Sequence, residues 1–166
     1  MHVRPATAAD AAAISAVARQ TFALACPPGT PQGEIDAYIR GNLGPDRFAA
    51  ALGNPAQQLW VLEHDGQVAG YSLVDHAAAA LGIAAADGLA ELSRCYVAPQ
   101  HHGQGAAQAL LAATLASVPG PVRLTVNDQN PRAIAFYRRN GFVQVGETQF
   151  LCGADVHRDW VMVRAG

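Results

Sequence analysis

Charged side chains are scarce in this chain: Asp, Glu, Lys and Arg make up 14% of its 166 residues, and the formal net charge is −2 at pH 7. Without a basic face to neutralise phosphates, neither nucleic acid nor an anionic lipid surface is expected as a partner. Cysteine is also sparse. Cys26, Cys95 and Cys152 are odd in number and far apart, which suits neither a disulfide framework nor a metal site, so no metal and a reduced, cytoplasmic protein are expected. Long apolar runs are missing too. Arg4, Asp10 and Arg19 interrupt the apolar residues near the start, no stretch approaches the roughly 20 apolar residues of a membrane span, and no signal-peptide pattern opens the sequence. The chain does have 51% hydrophobic residues. At this length that is enough for one full core, so residues 1–166 are expected to form a single domain.

The most informative stretch runs from Glu91 to about Val118. Residues 91–97 are rich in β-propensity and stop at Pro99, which cannot donate to a sheet ladder, so they read as a strand. From Ala106 the spacing becomes helical, with Ala107, Leu111, Leu115 and Val118 on one face. Between them lies Gln100-His101-His102-Gly103-Gln104-Gly105. Glycines admit a ligand close to the backbone, and the unbonded amides of a helix's first turn form an anion site suited to phosphate or pyrophosphate. A dinucleotide-dependent oxidoreductase is one class that uses such a loop, with Asp128 as the distal acid. Against it, the third glycine position is Gln108 and the loop follows a Val97-x-Pro99 spacer.

Elsewhere, residues 2–5 suggest a first strand, and Thr7 with Asp10 resembles a capping box opening a helix through Ile14, Val17, Ala18 and Phe22. Cys26-Pro27-Pro28-Gly29 ends it. Helices are expected again from residue 30 or 31 to 41 and from 45 to 52. Residues 58–63 and 67–75 alternate around His64-Asp65-Gly66 and predict a hairpin, with Gly70 at a bulge or close approach. Residues 76–88 read as a loop or weak helix, either an acceptor-side flap or padding. Strand 122–127 follows Pro119-Gly120-Pro121, and Asn130-Pro131 caps a helix that stops at Gly141. Two strands, 142–150 and 158–163, complete the chain.

The loop resembles the pyrophosphate motif of the GNAT superfamily of N-acetyltransferases, Gln/Arg-x-x-Gly-x-Gly/Ala, through Gln100, Gly103 and Gly105. A second block, Leu124-x-Val126-x-x-x-Asn130-x-x-Ala133-x-x-Phe136-Tyr137-x-x-x-Gly141-Phe142, resembles that superfamily's next strand and helix. The resemblance implies an α+β fold: a mixed, mostly antiparallel sheet of about seven strands, helices on both faces, and a splayed parallel pair at the centre. It also implies acetyl-CoA as co-substrate and a primary amine of a small molecule or peptide as acceptor, with a homodimer left open.

By the same resemblance the cofactor contacts are Cys95, Tyr96 and Val97, His102 and Gln104 with the loop residues already named, Ala106, Ala107, Asn130, Ala133 and Tyr137. A bulge on the Cys95-to-Val97 edge would aim an amide at the developing oxyanion. Cys95 is read as packing. Tyr137 is the candidate acid for the departing thiolate, or else a core aromatic whose hydroxyl finds a backbone partner. Glu91, placed by alternation on one face with Ser93, Cys95 and Val97, is the candidate base, or else an exposed or ion-paired carboxylate. Phe22 and Tyr38 are core or acceptor-pocket aromatics. Arg138 and Arg139 approach the cofactor's 3′-phosphate or simply cap a helix end. A non-catalytic acyl-CoA-binding module would keep the same loop.

Overall fold

The computed structural model describes all of residues 1–166. The elements are β1 (His2–Pro5), α1 (Ala11–Ala25), α2 (Gln32–Asn42), α3 (Pro45–Leu52), β2 (Gln57–His64), β3 (Gln67–Asp75), β4 (Ala90–Val97), α4 (Ala106–Ala116), β5 (Val122–Asn127), α5 (Pro131–Arg139), β6 (Val143–Cys152) and β7 (Asp155–Arg164). The seven strands form one sheet in the order β1-β2-β3-β4-β5-β7-β6. Only β4 and β5 run parallel; every other pairing is antiparallel.

Local chemistry explains most boundaries. Asp10 Oδ2 accepts from the Thr7 amide at 2.7 Å and takes the Arg4 guanidinium at 2.8 Å, so β1 and the start of α1 are tied through one carboxylate. At the β2–β3 turn Asp65 (φ 51°) and Gly66 (φ 76°) both adopt left-handed backbone, the pair that a two-residue hairpin of matching twist requires. The last two strands are longer than the sequence suggests. They form a continuous hairpin out to Cys152↔Asp155, turning at Gly153 (φ 60°).

Packing divides between the two faces of the sheet. On one face α1, α2 and α3 cover Leu59, Val61, Tyr71 and Leu73. On the other, α4 and α5 cover Leu62, Ala69, Val74, Leu92, Leu124 and Met162. The buried side of α4 is Ala106, Leu110, Leu111 and Thr114, and Val118 is buried just beyond its end. That stripe is turned from the expected one because Thr114 is drawn inward: its hydroxyl meets Ser72 Oγ at 2.6 Å and donates to the Leu110 carbonyl at 2.7 Å.

Two irregularities shape the centre. In the β3–β4 ladder Leu73 pairs with Arg94 but Val74 with Leu92, leaving Ser93 as an extra residue. The bulge thus lies before the Cys95-to-Val97 edge where it was expected. It also reverses the side-chain alternation, so Leu92, Cys95 and Val97 point to the α4 face while Arg94 and Tyr96 point to the α1 face. Glu91 therefore does not share a face with Cys95 and Val97. The second irregularity is the parallel pair, which is paired only at Ala90↔Val122 and Glu91↔Arg123 before the strands diverge.

Residues 76–89 form turns without a helix and are pinned at the closed end of that pair. Arg123, 1% exposed, donates to the carbonyls of Ala79 (2.6 Å) and Ala86 (3.3 Å) and to Glu91 (2.8 Å). Asp87 accepts from the amides of Leu81 and Gly82.

Candidate active site

The divergence of β4 and β5 opens a cleft of about 630 Å³ through the sheet. Beyond Glu91, the edge of β4 facing β5 has no strand partner, so its backbone is available to a ligand. The cleft is lined by Cys95, Tyr96 and Val97 on one side of the gap and by Thr125, Val126 and Asn127 on the other.

At the open end on the α4 face, Pro99 to His101 make a short 3-10 turn and the chain then enters α4 through Gly103 (φ 77°) and Gly105 (φ 79°). A Cβ at either glycine would meet nothing within 4 Å, so they are required for backbone conformation and not for room. The consequence is that the amides of Gly103, Gln104, Gly105, Ala106, Ala107 and Gln108 have no backbone partner. Together with the positive end of α4 they form a concave anion site. His102 braces it: Nε2 donates to the Val97 carbonyl (2.7 Å) and Nδ1 accepts from Arg132 (3.3 Å).

Of the residues expected from sequence, His102, Gly103, Gly105, Ala106, Ala107, Asn130, Ala133 and Tyr137 line the cleft with the β4 edge. Three do not. Gln100 turns outward, its Oε1 accepting from Gln20 at 3.5 Å, and Gln104 donates to the Gln100 carbonyl at 3.2 Å, so both shape the loop from behind. Glu91 is absent from the cleft walls because its carboxylate is bonded to buried Arg123. Asn130 caps α5 by accepting from the Ala133 amide at 3.1 Å. Arg139 and Arg132 line the cleft, while Arg138 instead lies over the Trp160 ring at 5.2 Å.

Tyr137, packed edge-on to Phe136 and Phe142, makes no hydrogen bond within the protein through its hydroxyl. Burial, reinforced by Cys95 and Tyr96, pushes the phenol well above its ordinary value of 10. It carries its proton at neutral pH. Burial alone pushes the Cys95 thiol up to about 12, which leaves it an inert hydrophobe.

The opposite mouth, on the α1–α2 face, was largely unread in the sequence. Phe22 stacks on Tyr38 (4.4 Å between centroids) and Tyr38 meets Phe150 edge-on (5.4 Å), and all three line the cleft. Lining the same mouth is Asp159, 7% exposed, whose carboxylate accepts a long hydrogen bond from Asn127 Nδ2 at 3.5 Å. Burial raises its carboxyl above the usual range. His157 lies beside it with Nε2 against Asp155 at 2.6 Å. The signal available was period-two alternation in β7, which puts His157 and Asp159 on one face with buried Val161.

A family model described as the acetyltransferase (GNAT) domain matches residues 55–144, which contain the loop, the diverging strands and Tyr137. The chain belongs to the GNAT N-acetyltransferase family. Uncharacterized N-acetyltransferases of Mycobacterium tuberculosis and Mycobacterium bovis are each 39% identical to this GNAT enzyme over 159 residues, 93% of this chain and 97% of theirs. The fold matches that of the PaiA N-acetyltransferase of Thermoplasma acidophilum in complex with coenzyme A, with a TM-score of 0.80 at 19% identity over 99% and 98% of the two chains. It also matches a ribosomal-protein-alanine N-acetyltransferase of Brucella melitensis, with a TM-score of 0.70 at 20% identity over the whole of both chains.

Proposed function

We propose that this GNAT enzyme transfers an acetyl group from acetyl-CoA to a primary amine by direct attack within a ternary complex. The observation that carries the reading is a cleft passing through the sheet, with six unbonded amides and a protonated phenol at one mouth and a buried carboxylate at the other. The six amides of residues 103–108 hold the pyrophosphate, and Arg132 and Arg139 add cations near the phosphates. The unpartnered edge of β4 from Cys95 to Val97 binds the pantetheine arm and offers an amide to the thioester oxygen.

Asp159 takes the proton that the amine must lose before it attacks, and Tyr137 donates to the thiolate as it departs. Burial keeps the Tyr137 phenol protonated and raises the proton affinity of the Asp159 carboxylate, which suits the first to donate and the second to accept. Glu91 acts only as the counter-charge of Arg123.

Tyr137→Phe keeps the ring and removes only the donor. With a responsive amine, its kcat at saturating acetyl-CoA is expected to fall by roughly 10² to 10⁴ while the cofactor still raises the melting temperature. Wild-type turnover in this variant would refute the acid role. A wild-type protein whose melting temperature rises with acetyl-CoA, yet which releases no CoA thiol with any amine, would instead be a binding module.

A further inference from the structure

We propose that the acceptor is an amine that also carries a carboxylate, and that Arg94 at the α1–α2 mouth of the cleft is the residue that reads it. The inference rests on the acetyl-transfer reading and deepens it to a substrate class.

Arg94 reaches that mouth because Ser93 is the extra residue of the β4 bulge; regular alternation would turn its side chain to the α4 face. Its guanidinium lies over the Phe48 ring at 5.6 Å and lines the cleft. There it makes no ion pair and no hydrogen bond within the protein. The contrast with the other sheet arginines that point into the fold is informative. Arg4 is shared by Asp10 and Glu63, and Arg123 by Glu91 and Asp87, so each has two carboxylates. Arg94 has none.

A guanidinium lodged over an aromatic ring with no protein partner keeps its N–H groups free, and that planar fork matches a carboxylate in bidentate geometry. The same chamber holds Asp159, which has no cationic residue in ion-pair contact. A guanidinium and a carboxyl group line one chamber and do not pair with each other. A ligand with an ammonium at the Asp159 side and a carboxylate at the Arg94 side would satisfy both. Phe22, Tyr38 and Phe150 line the same chamber and supply an apolar wall for a carbon chain.

The test uses matched acceptors that differ only in the acidic group: an amino acid, its carboxamide and the aminophosphonate of the same length. CoA thiol release is followed at saturating acetyl-CoA. The amino acid is expected to exceed the carboxamide in kcat/KM by roughly tenfold or more, mainly through KM, because the amide leaves the guanidinium unmatched. Arg94→Gln should collapse that ratio towards one, and Arg94→Lys, which keeps the charge and loses the fork, should restore part of it.

Equal kcat/KM for acid and carboxamide in the wild type overturns the inference, as does a preference for the phosphonate. An unchanged ratio in both variants overturns the role of Arg94. If no acceptor turns over, the shift in melting temperature that the same compounds give in the presence of CoA decides the question. A larger shift for the amino acid upholds the carboxylate site while the transfer reading falls; equal shifts overturn it.

Discussion

Asp159 is a carboxylate kept where water cannot fully reach it, and that position is expected to act in opposite directions on stability and activity. Its pKa in the folded protein lies above the unfolded value, so the folded state favours the protonated form. Stability from this group is therefore fully present below the ordinary carboxylate pKa of about 4 and is lost as pH rises through the raised value. Asp159→Asn removes the buried charge and keeps the shape. It is expected to raise the melting temperature at pH 7, by an amount that fades as pH approaches about 4, and to lower kcat by roughly 10² or more. Thermal melts against pH, paired with initial rates, check both signs. A variant that is neither more stable nor slower would remove Asp159 from the chemistry. Legibility at this scale was uneven. Gly103, Gly105 and Tyr137 belong to motifs with fixed spacing and could be found by reading along the chain. Asp159 and Arg94 could not, because each stands out by what it lacks in three dimensions: an oppositely charged partner.

At the scale of the element, β4 decides what the site looks like, and its neighbour β3 decides where β4 lies. Gly70 faces it closely enough that a Cβ would come within 2.9 Å of the Tyr96 carbonyl and 3.1 Å of a Val97 methyl. A backbone oxygen in a sheet cannot swing aside as a long side chain can. Gly70→Ala should therefore push β4 away from β3 into the cleft, costing about 1–3 kcal/mol of stability and raising KM for acetyl-CoA. Chemical denaturation and a cofactor titration measure the two effects, and an unchanged KM would show that the strand edge does not form the cofactor's wall. The sequence marked Gly70 for a bulge or a close approach, and both occur, since Leu62↔Gly70 is followed by Glu63↔Val68. The bulge at Ser93 was placed too late because period-two alternation carries no mark of an inserted residue. That single insertion moved Arg94 into the cleft and separated Glu91 from Cys95, so the face expected of Glu91 and the unexpected place of Arg94 share one cause.

Across the whole molecule, the order of elements, the seven strands and the central parallel pair were readable because each strand and helix carries its own period and stop signals. The way the two halves of the sheet are held together was not readable. Beside two residue pairs, the junction is secured by Arg123, buried among Glu91, Asp87 and the carbonyls of residues 79 and 86. Glu91→Gln would leave this guanidinium short of its nearest counter-charge, and a loss of roughly 3–5 kcal/mol is expected. If Glu91 were the catalytic base, the same variant would fold normally and lose activity instead, so a denaturation curve measured with the rate separates the roles. A further consequence follows from the passage through the sheet. One mouth is lined from residues 97–108 and 130–139, the other mainly from residues 18–43 and 150–159, and the proposed reaction assigns the first to the cofactor and the second to the acceptor. These are separate stretches of the gene. On that assignment, descendants could exchange one diet of amines for another by changing the second set, with the machinery for the acetyl donor inherited untouched.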